Sequence, residues 1–294
     1  MKQPTDESAY RGAVLRGRNA LITGASRGIG LAIARRFAAE GAAVVLCASR
    51  LGAHGKLKGT LQEAVDEINA AGGSAAAEVC DLSDHEARAQ LVERAGRHFG
   101  PLDIVVNNAA ASTMQLPSQV TREQRNFMYE VNLNAPIDLA QQVLPAMRER
   151  GSGWILNISS ASARQPVVPY RDSQIAAHVI TAYGATKAAL DRYTQGLAHE
   201  VAGDGVCINT LAPESIVLTE GASYVRDIAR RSPDMAEPVE TMAEAALALC
   251  SGRHIGQVCF SRQLLHALGR PVFSLDGLER LGDAFLPADV EATA

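Results

Sequence analysis

The sequence predicts a single doubly wound α/β domain, a parallel sheet carrying helices on both faces. Three observations predict it. Short, continuously apolar runs alternate with amphipathic stretches from about residue 19 to 261. No Pro/Gly/Ser-rich linker, composition break or internal repeat divides that alternation. The 294 residues exceed the ~100–200 of an average domain, yet one large α/β unit with additions accommodates them.

Each element follows from its local pattern. Asn19-Ala20-Leu21-Ile22-Thr23 reads as the first strand, and residues 28–40 as a helix with Ile29, Ile33 and Phe37 at i, i+4 and i+8 on one face. A second strand covers residues 43–47, and the next helix repeats the spacing with Leu61, Val65 and Ile68. A third strand precedes Asp81. Ser83-Asp84-His85-Glu86 fits a capping box that opens one helix ending near Phe99-Gly100-Pro101. Strands at 104–106, 154–158, 206–209 and 258–260 bring the sheet to about seven. A leader, residues 1–14, and a tail, residues 262–294, fall outside this unit. Leu278, Leu281 and Phe285 predict one short apolar-faced helix in the tail.

Composition narrows the function. An apolar fraction of 47% against 20% charged supplies a sizeable core and excludes wholesale disorder. A net charge of −4 gives no positive field for nucleic acid or anionic lipid, and 4% aromatics leave little for base stacking. Cys47, Cys80, Cys207, Cys250 and Cys259 show neither zinc nor disulfide spacing and read as small buried hydrophobes in a reducing compartment. The seven histidines show no metal motif. The acidic, polar start is unlike a signal or transit peptide, and nowhere do about 18 apolar residues run together. The expectation is a cytoplasmic protein with no membrane or nucleic-acid partner.

The first strand runs through Thr23-Gly24-Ala25-Ser26-Arg27-Gly28-Ile29-Gly30 directly into a helix. Gly24 suits the tight turn, Gly28 lets backbone approach a pyrophosphate, and Gly30 lets helix and sheet pack closely. The free N–H groups of the helix start then face phosphates. This TGxxxGxG spacing resembles the short-chain dehydrogenase/reductase family over roughly residues 13–261, which implies a Rossmann domain. The resemblance assigns Asp81-Leu82 to adenine contact and matches Asn107-Asn108-Ala109-Ala110 to the family's NNAG, with Ala110 in place of glycine.

NAD-dependent enzymes of this kind usually carry a carboxylate at the end of the second strand for the ribose 2′-OH. Here that stretch reads Ala48-Ser49-Arg50, and no acid follows until Glu63. Arg27 and Arg50 suit a 2′-phosphate instead, which points to NADP(H) rather than NAD(H). Residues 52–59 with Thr60-Leu61 are similar to a loop of the family's hydroxysteroid-dehydrogenase-like branch, a pointer to hydrophobic carbonyl or hydroxyl substrates.

Tyr183-Gly184-Ala185-Thr186-Lys187 matches the family's YxxxK, and a spacing of four puts both side chains on one helix face. The expected purpose is that the ammonium lowers a tyrosine pKa of about 10. The resemblance further implies that Lys187 holds the nicotinamide ribose, that Ser160 rather than Ser159 is the serine on the substrate oxygen, and that Asn132 holds a relay water. The implied reaction is hydride transfer between nicotinamide C4 and a carbonyl or secondary alcohol, with Tyr183 as proton donor. A catalytically silent nucleotide-binding scaffold and a C=C reductase are the other readings.

Two stretches depart from the family. Ser160 and Tyr183 stand 23 apart (183 − 160), about ten more than usual, which places an insertion at about 164–178. Pro213-Glu214 replaces Pro-Gly, Ile216 keeps the carboxamide-contacting position, Thr219 comes one residue late, and residues 214–238 are expected to form a substrate lid. The resemblance also implies a homodimer or homotetramer.

Overall fold

Pairs such as Leu21-Ile22 and Val105-Val106 send successive apolar side chains to opposite faces, so both faces of their sheet need cover. The computed structural model, which describes residues 14–53, 58–164, 179–219 and 236–282, provides it. The strands are β1 (Asn19–Thr23), β2 (Ala43–Ala48), β3 (Ser74–Val79), β4 (Ile104–Asn107), β5 (Gly153–Ile158), β6 (Val206–Ala212), β7 (Ile216–Val217), β8 (Ala236–Glu237) and β9 (Val258–Phe260). Seven of them form one parallel sheet in the order β3-β2-β1-β4-β5-β6-β9, as the alternation predicts. The helices are α1 (Gly28–Ala39), α2 (Leu61–Ala70), α3 (His85–Ala89), α4 (Leu91–Phe99), α5 (Arg122–Tyr129), α6 (Ala135–Arg150), α7 (Thr181–Glu200), α8 (Val239–Ser251) and α9 (Ser261–Ala267).

One face of the sheet buries Ala20, Ile22, Val44, Leu46, Val106 and Leu211 against α1, α2 and α8. The other buries Leu21, Val45, Val105, Ile155 and Ile208 against α4, α6 and α7. Because β1 bonds to both β2 and β4, the winding direction reverses there, and a crevice opens at the carboxyl ends of these strands.

Two local expectations are corrected. The Ser83–Glu86 stretch does start a helix, but Asp84 is the cap, its carboxylate accepting the N–H groups of Glu86 at 2.9 Å and Ala87 at 3.2 Å. Ser83 donates instead to Asp81 at 2.7 Å, and the helix breaks at Gln90 into α3 and α4. In the tail, Leu278 and Leu281 are not on a helix. A two-stranded antiparallel hairpin forms from β10 (Val272–Phe273) and β11 (Arg280–Leu281). Asp276 accepts the Leu278 N–H at 3.0 Å and Gly277 takes φ +74°, so turn chemistry overrides the apolar spacing. Phe285 lies outside the described residues.

The chain does not leave the fold at Ser261, which is fully buried at the start of α9. Beyond it, Arg270 reaches back to Glu244 at 2.7 Å, and Glu244 also accepts from Arg36 at 2.9 Å. Arg36 pairs with Glu40 at 2.6 Å. The Arg36, Glu40 and Glu244 side chains are each 1% exposed, so charge balance inside the core ties the tail to α1 and α8. Among the described residues, no helix is long and apolar enough to cross a membrane.

Candidate active site

A cavity of about 590 Å³ occupies the crevice at the carboxyl ends of the strands. Its floor is the loop from β1 to α1, with Gly24, Ser26, Arg27, Gly28 and Ile29, and its walls include Arg50, Asp81, Leu82 and Asn108. Nine of the sequence-predicted cofactor residues therefore converge from the ends of four strands, whereas Gly30, Tyr183 and Lys187 do not line the cavity. Pro213 and Ile216 follow β6 and do not line the cavity, whereas Thr219 does.

The loop leaves no room for a Cβ at Gly24 or Gly30. A Cβ on Gly24 would stand 2.8 Å from Ala109 Cα, and one on Gly30 would stand 2.5 Å from both Asn108 Nδ2 and the Gly24 carbonyl. Asn108 causes this closeness: its Nδ2 donates to the Thr23 carbonyl at 2.9 Å and the Gly24 carbonyl at 3.1 Å. Asn108 thus braces the glycine loop as well as lining the cavity. At the start of α1, no side chain caps the N–H groups and no acid sits in the first turn. An uncapped positive helix end facing a cavity suits an anion. Arg27 donates to the Gly59 carbonyl at 2.9 Å, which fixes its guanidinium beside the cavity. Asp81 uses one oxygen on Ser83.

The other candidate residues gather where β5 meets α7. Gly184 makes the approach possible, since a Cβ there would meet the Ser162 carbonyl at 2.4 Å. Tyr183 is brought to face Ser160, whose Oγ accepts from Ser162 Oγ at 2.9 Å and from the Ser162 N–H at 3.2 Å. One turn on, Lys187 is 2% exposed and donates to the Ile158 carbonyl at 2.7 Å. Asn132 is fully buried in a widened π turn, residues 130–134. Pro136 has no N–H to offer the Asn132 carbonyl four residues earlier, which accounts for the widening. The Asn132 side chain is itself fully used. It accepts the Ala111 N–H at 2.7 Å and donates to the Ala111 carbonyl at 2.8 Å and to Thr186 Oγ1 at 2.9 Å. Thr186 in turn donates to the Tyr183 carbonyl at 2.7 Å, so Asn132 stitches the loop after β4 to the helix of Tyr183.

The electrostatics differ from the sequence expectation. Burial pushes the Tyr183 phenol up to about 12, and the facing Ser160 hydroxyl only partly opposes it. Lys187 does not lower it, because the ammonium is directed at Ile158 and stands 5.8 Å from the centre of the tyrosine ring. Burial pushes Lys187 itself down to about 8, with Asp191 one turn further on working the other way. At neutral pH the pair is a neutral phenol beside an ammonium.

Sequence reasoning missed several cavity walls. Ala111, Ser112, Phe127 and Val131 line it, as do Cys47 and Cys80. Phe127 and Val131 carry an i, i+4 signal across the end of α5; the two cysteines carry none beyond their position at strand ends. Residues 165–178 of the expected insertion and 220–235 of the expected lid lie outside the described residues.

A family profile described as short chain dehydrogenase matches residues 18–228. The chain belongs to this family. A short chain dehydrogenase of Pseudocercospora fijiensis is 35% identical over 211 residues, 71% of this chain and 62% of that protein. Hydroxysteroid dehydrogenase-like protein 2 of Bos taurus is 33% identical over 240 residues, 80% of this chain and 54% of that protein. The chain therefore spans only about half to three-fifths of these curated relatives. Among solved short-chain dehydrogenase structures, 3-oxoacyl (acyl-carrier-protein) reductase from Agrobacterium tumefaciens C58, with NADP bound, is 34% identical. It aligns with a TM-score of 0.72 over 88% of this chain and 97% of its own. L-Sorbose reductase from Gluconobacter frateurii, complexed with NADPH and L-sorbose, is 30% identical with a TM-score of 0.72, covering 85% and 96%.

Proposed function

We propose that the protein is an NADP(H)-dependent oxidoreductase acting between a carbonyl and a secondary alcohol on a hydrophobic small molecule. One observation carries this reading. A neutral Tyr183 phenol faces Ser160 with the Lys187 ammonium one turn away, on the same carboxyl edge of the sheet as a glycine cradle with no room for a Cβ at Gly24 or Gly30.

The residues fit a nicotinamide dinucleotide. Gly24, Ser26, Gly28, Ile29 and Gly30 would hold the pyrophosphate on the start of α1. Arg27 and Arg50 would hold the 2′-phosphate, and no carboxylate stands at the end of β2 to repel it. Asp81 and Leu82 would meet the adenine, Asn108 would keep the loop in shape, and Lys187 would reach the nicotinamide ribose. Pro213 and Ile216 would approach the carboxamide. When bound, the nicotinamide supplies or accepts the hydride. In the reductive direction Tyr183 gives its proton to the substrate oxygen while Ser160 orients that oxygen by hydrogen bonding. Water then returns the proton to the phenolate left behind. Asn132 fixes the helix that carries both.

The NADP-bound and NADPH-bound neighbours support the cofactor choice. The same reading treats residues 15–261 as one catalytic domain, onto which the tail packs through Arg270 and Glu244. It takes the assembly to be a homodimer or homotetramer, and the free thiols support a cytoplasmic setting. Thermal shift with NADPH and NADH in parallel tests the proposal. NADPH should stabilise more; equal or greater stabilisation by NADH would overturn the cofactor assignment.

A further inference from the structure

Two of the five free thiols line the cavity, and they meet each other there. Cys47 is the fifth residue of β2 and pairs in register with Glu78 of β3; Cys80 follows β3, its N–H donating to the Ala48 carbonyl at 2.9 Å. Positions 78 and 80 share a face, so both sulfurs point to the same side of the sheet. There Cys47 and Cys80 are diagonal neighbours across the β2–β3 pair, and both line the cavity. A cation completes the group. Arg94 on α4 lies across the end of β3, donating to Glu78 at 2.9 Å and to the Val79 carbonyl at 3.4 Å, which sets its guanidinium beside Cys80.

We infer that Cys80 is a modification site for soft electrophiles of the α,β-unsaturated carbonyl class, and that its adduct and the adenosine half of the dinucleotide exclude each other. Cys80 adjoins Asp81 and Leu82 on the cavity wall, so an adduct there fills space that the proposed adenine would take. The inference rests on the dinucleotide reading of that cavity. The chemistry needs no oxidant. The thiolate sulfur forms a bond to the β-carbon, the C=C π pair moves to the α-carbon, and water supplies the proton that completes the saturated carbonyl.

Selectivity comes from the surroundings. The neighbouring Cys47 thiol and the Arg94 guanidinium bring Cys80 down to about 7 against the effect of burial. The remaining thiols go the other way. Cys47 is held up mainly by the neighbouring Cys80, while burial raises Cys207 and Cys250 and pushes the half-buried Cys259 up to about 11. At pH 7.5 the thiolate fraction of Cys80 thus exceeds that of Cys259 by about a hundredfold or more.

N-ethylmaleimide is the probe. Ligand-free protein at pH 7.5 should take one label, mapped to Cys80 by peptide mass spectrometry, and labelled protein should lose NADPH binding by fluorescence in proportion to the label. NADP⁺ should protect Cys80 with the concentration dependence of its own binding, and Cys80→Ser should remove the fast label. Labelling of Cys259 as fast as Cys80, or a Cys80 adduct that leaves NADPH binding intact, would overturn the inference. If unlabelled protein fails to bind NADPH, the cofactor reading falls separately, and the labelling rates still decide the thiol.

Discussion

Replacing Lys187 by Met separates what the lysine does for catalysis from what it costs the fold. The ammonium is 2% exposed, and burial pushes it down to about 8 from 10.5. Between those two values the unfolded chain holds a proton that the folded chain does not. The cost of burying the charge is therefore full below about pH 8 and is relieved as pH rises toward 10.5. In free energy it amounts to roughly 3 kcal/mol, offset in part by the hydrogen bond to the Ile158 carbonyl, about 1.5–3 kcal/mol for a charged donor. Lys187→Met should fold with stability close to the parent at pH 7. The parent should gain on the variant by about 2 kcal/mol between pH 7 and 9.5. Urea unfolding of both proteins at the two pH values reads the difference directly. Turnover should collapse in the variant at every pH. A stability difference that does not move with pH would refute the burial argument, and retained turnover would refute the catalytic one.

Two further changes test the frame around the site. Glu244→Ala removes the carboxylate shared by Arg36 and Arg270; leaving buried guanidinium charge uncompensated costs about 3–5 kcal/mol. For a chain of this length that is a fall in Tm of about 5–8 °C, read by calorimetry, with kcat unchanged at 25 °C. Gly30→Ala would place a Cβ 2.5 Å from Asn108 Nδ2 and from the Gly24 carbonyl, prying the loop open. NADPH affinity by fluorescence titration should fall about tenfold or more, as overpacking of 1–3 kcal/mol implies, while the circular dichroism spectrum stays that of the parent.

The sheet was legible because its signals are local. Leu61, Val65 and Ile68 all face the core as their spacing predicts, and the first strand leads into α1 through the loop that its glycines require. The candidate residues Ser160, Tyr183, Lys187 and Asn132 were legible through the resemblance, as motifs on recognisable elements. Partners from elsewhere in the chain were not. Nothing near Lys187 in sequence says that its ammonium points at Ile158, twenty-nine residues earlier, or that burial raises the Tyr183 phenol. The tail misled for a related reason: Leu278 and Leu281 fit a helical spacing, but the Asp276-Gly277 turn and the pairing of Val272 with Leu281 hold it as a hairpin. Asn108 lines the predicted cavity, yet its amide is committed to two carbonyls of the glycine loop, a contact that only the packing of β1 against β4 creates.

The central claim is that Tyr183 protonates the substrate oxygen at a nicotinamide site. Single-turnover reduction of a ketone accepted by the parent enzyme, followed by NADPH absorbance in the parent and in Tyr183→Phe, tests it most directly. The account predicts a fall in hydride-transfer rate of about 10²–10⁴-fold with the Kd for NADPH unchanged within about twofold. A Tyr183→Phe enzyme that reduces the ketone at the parent rate would contradict it.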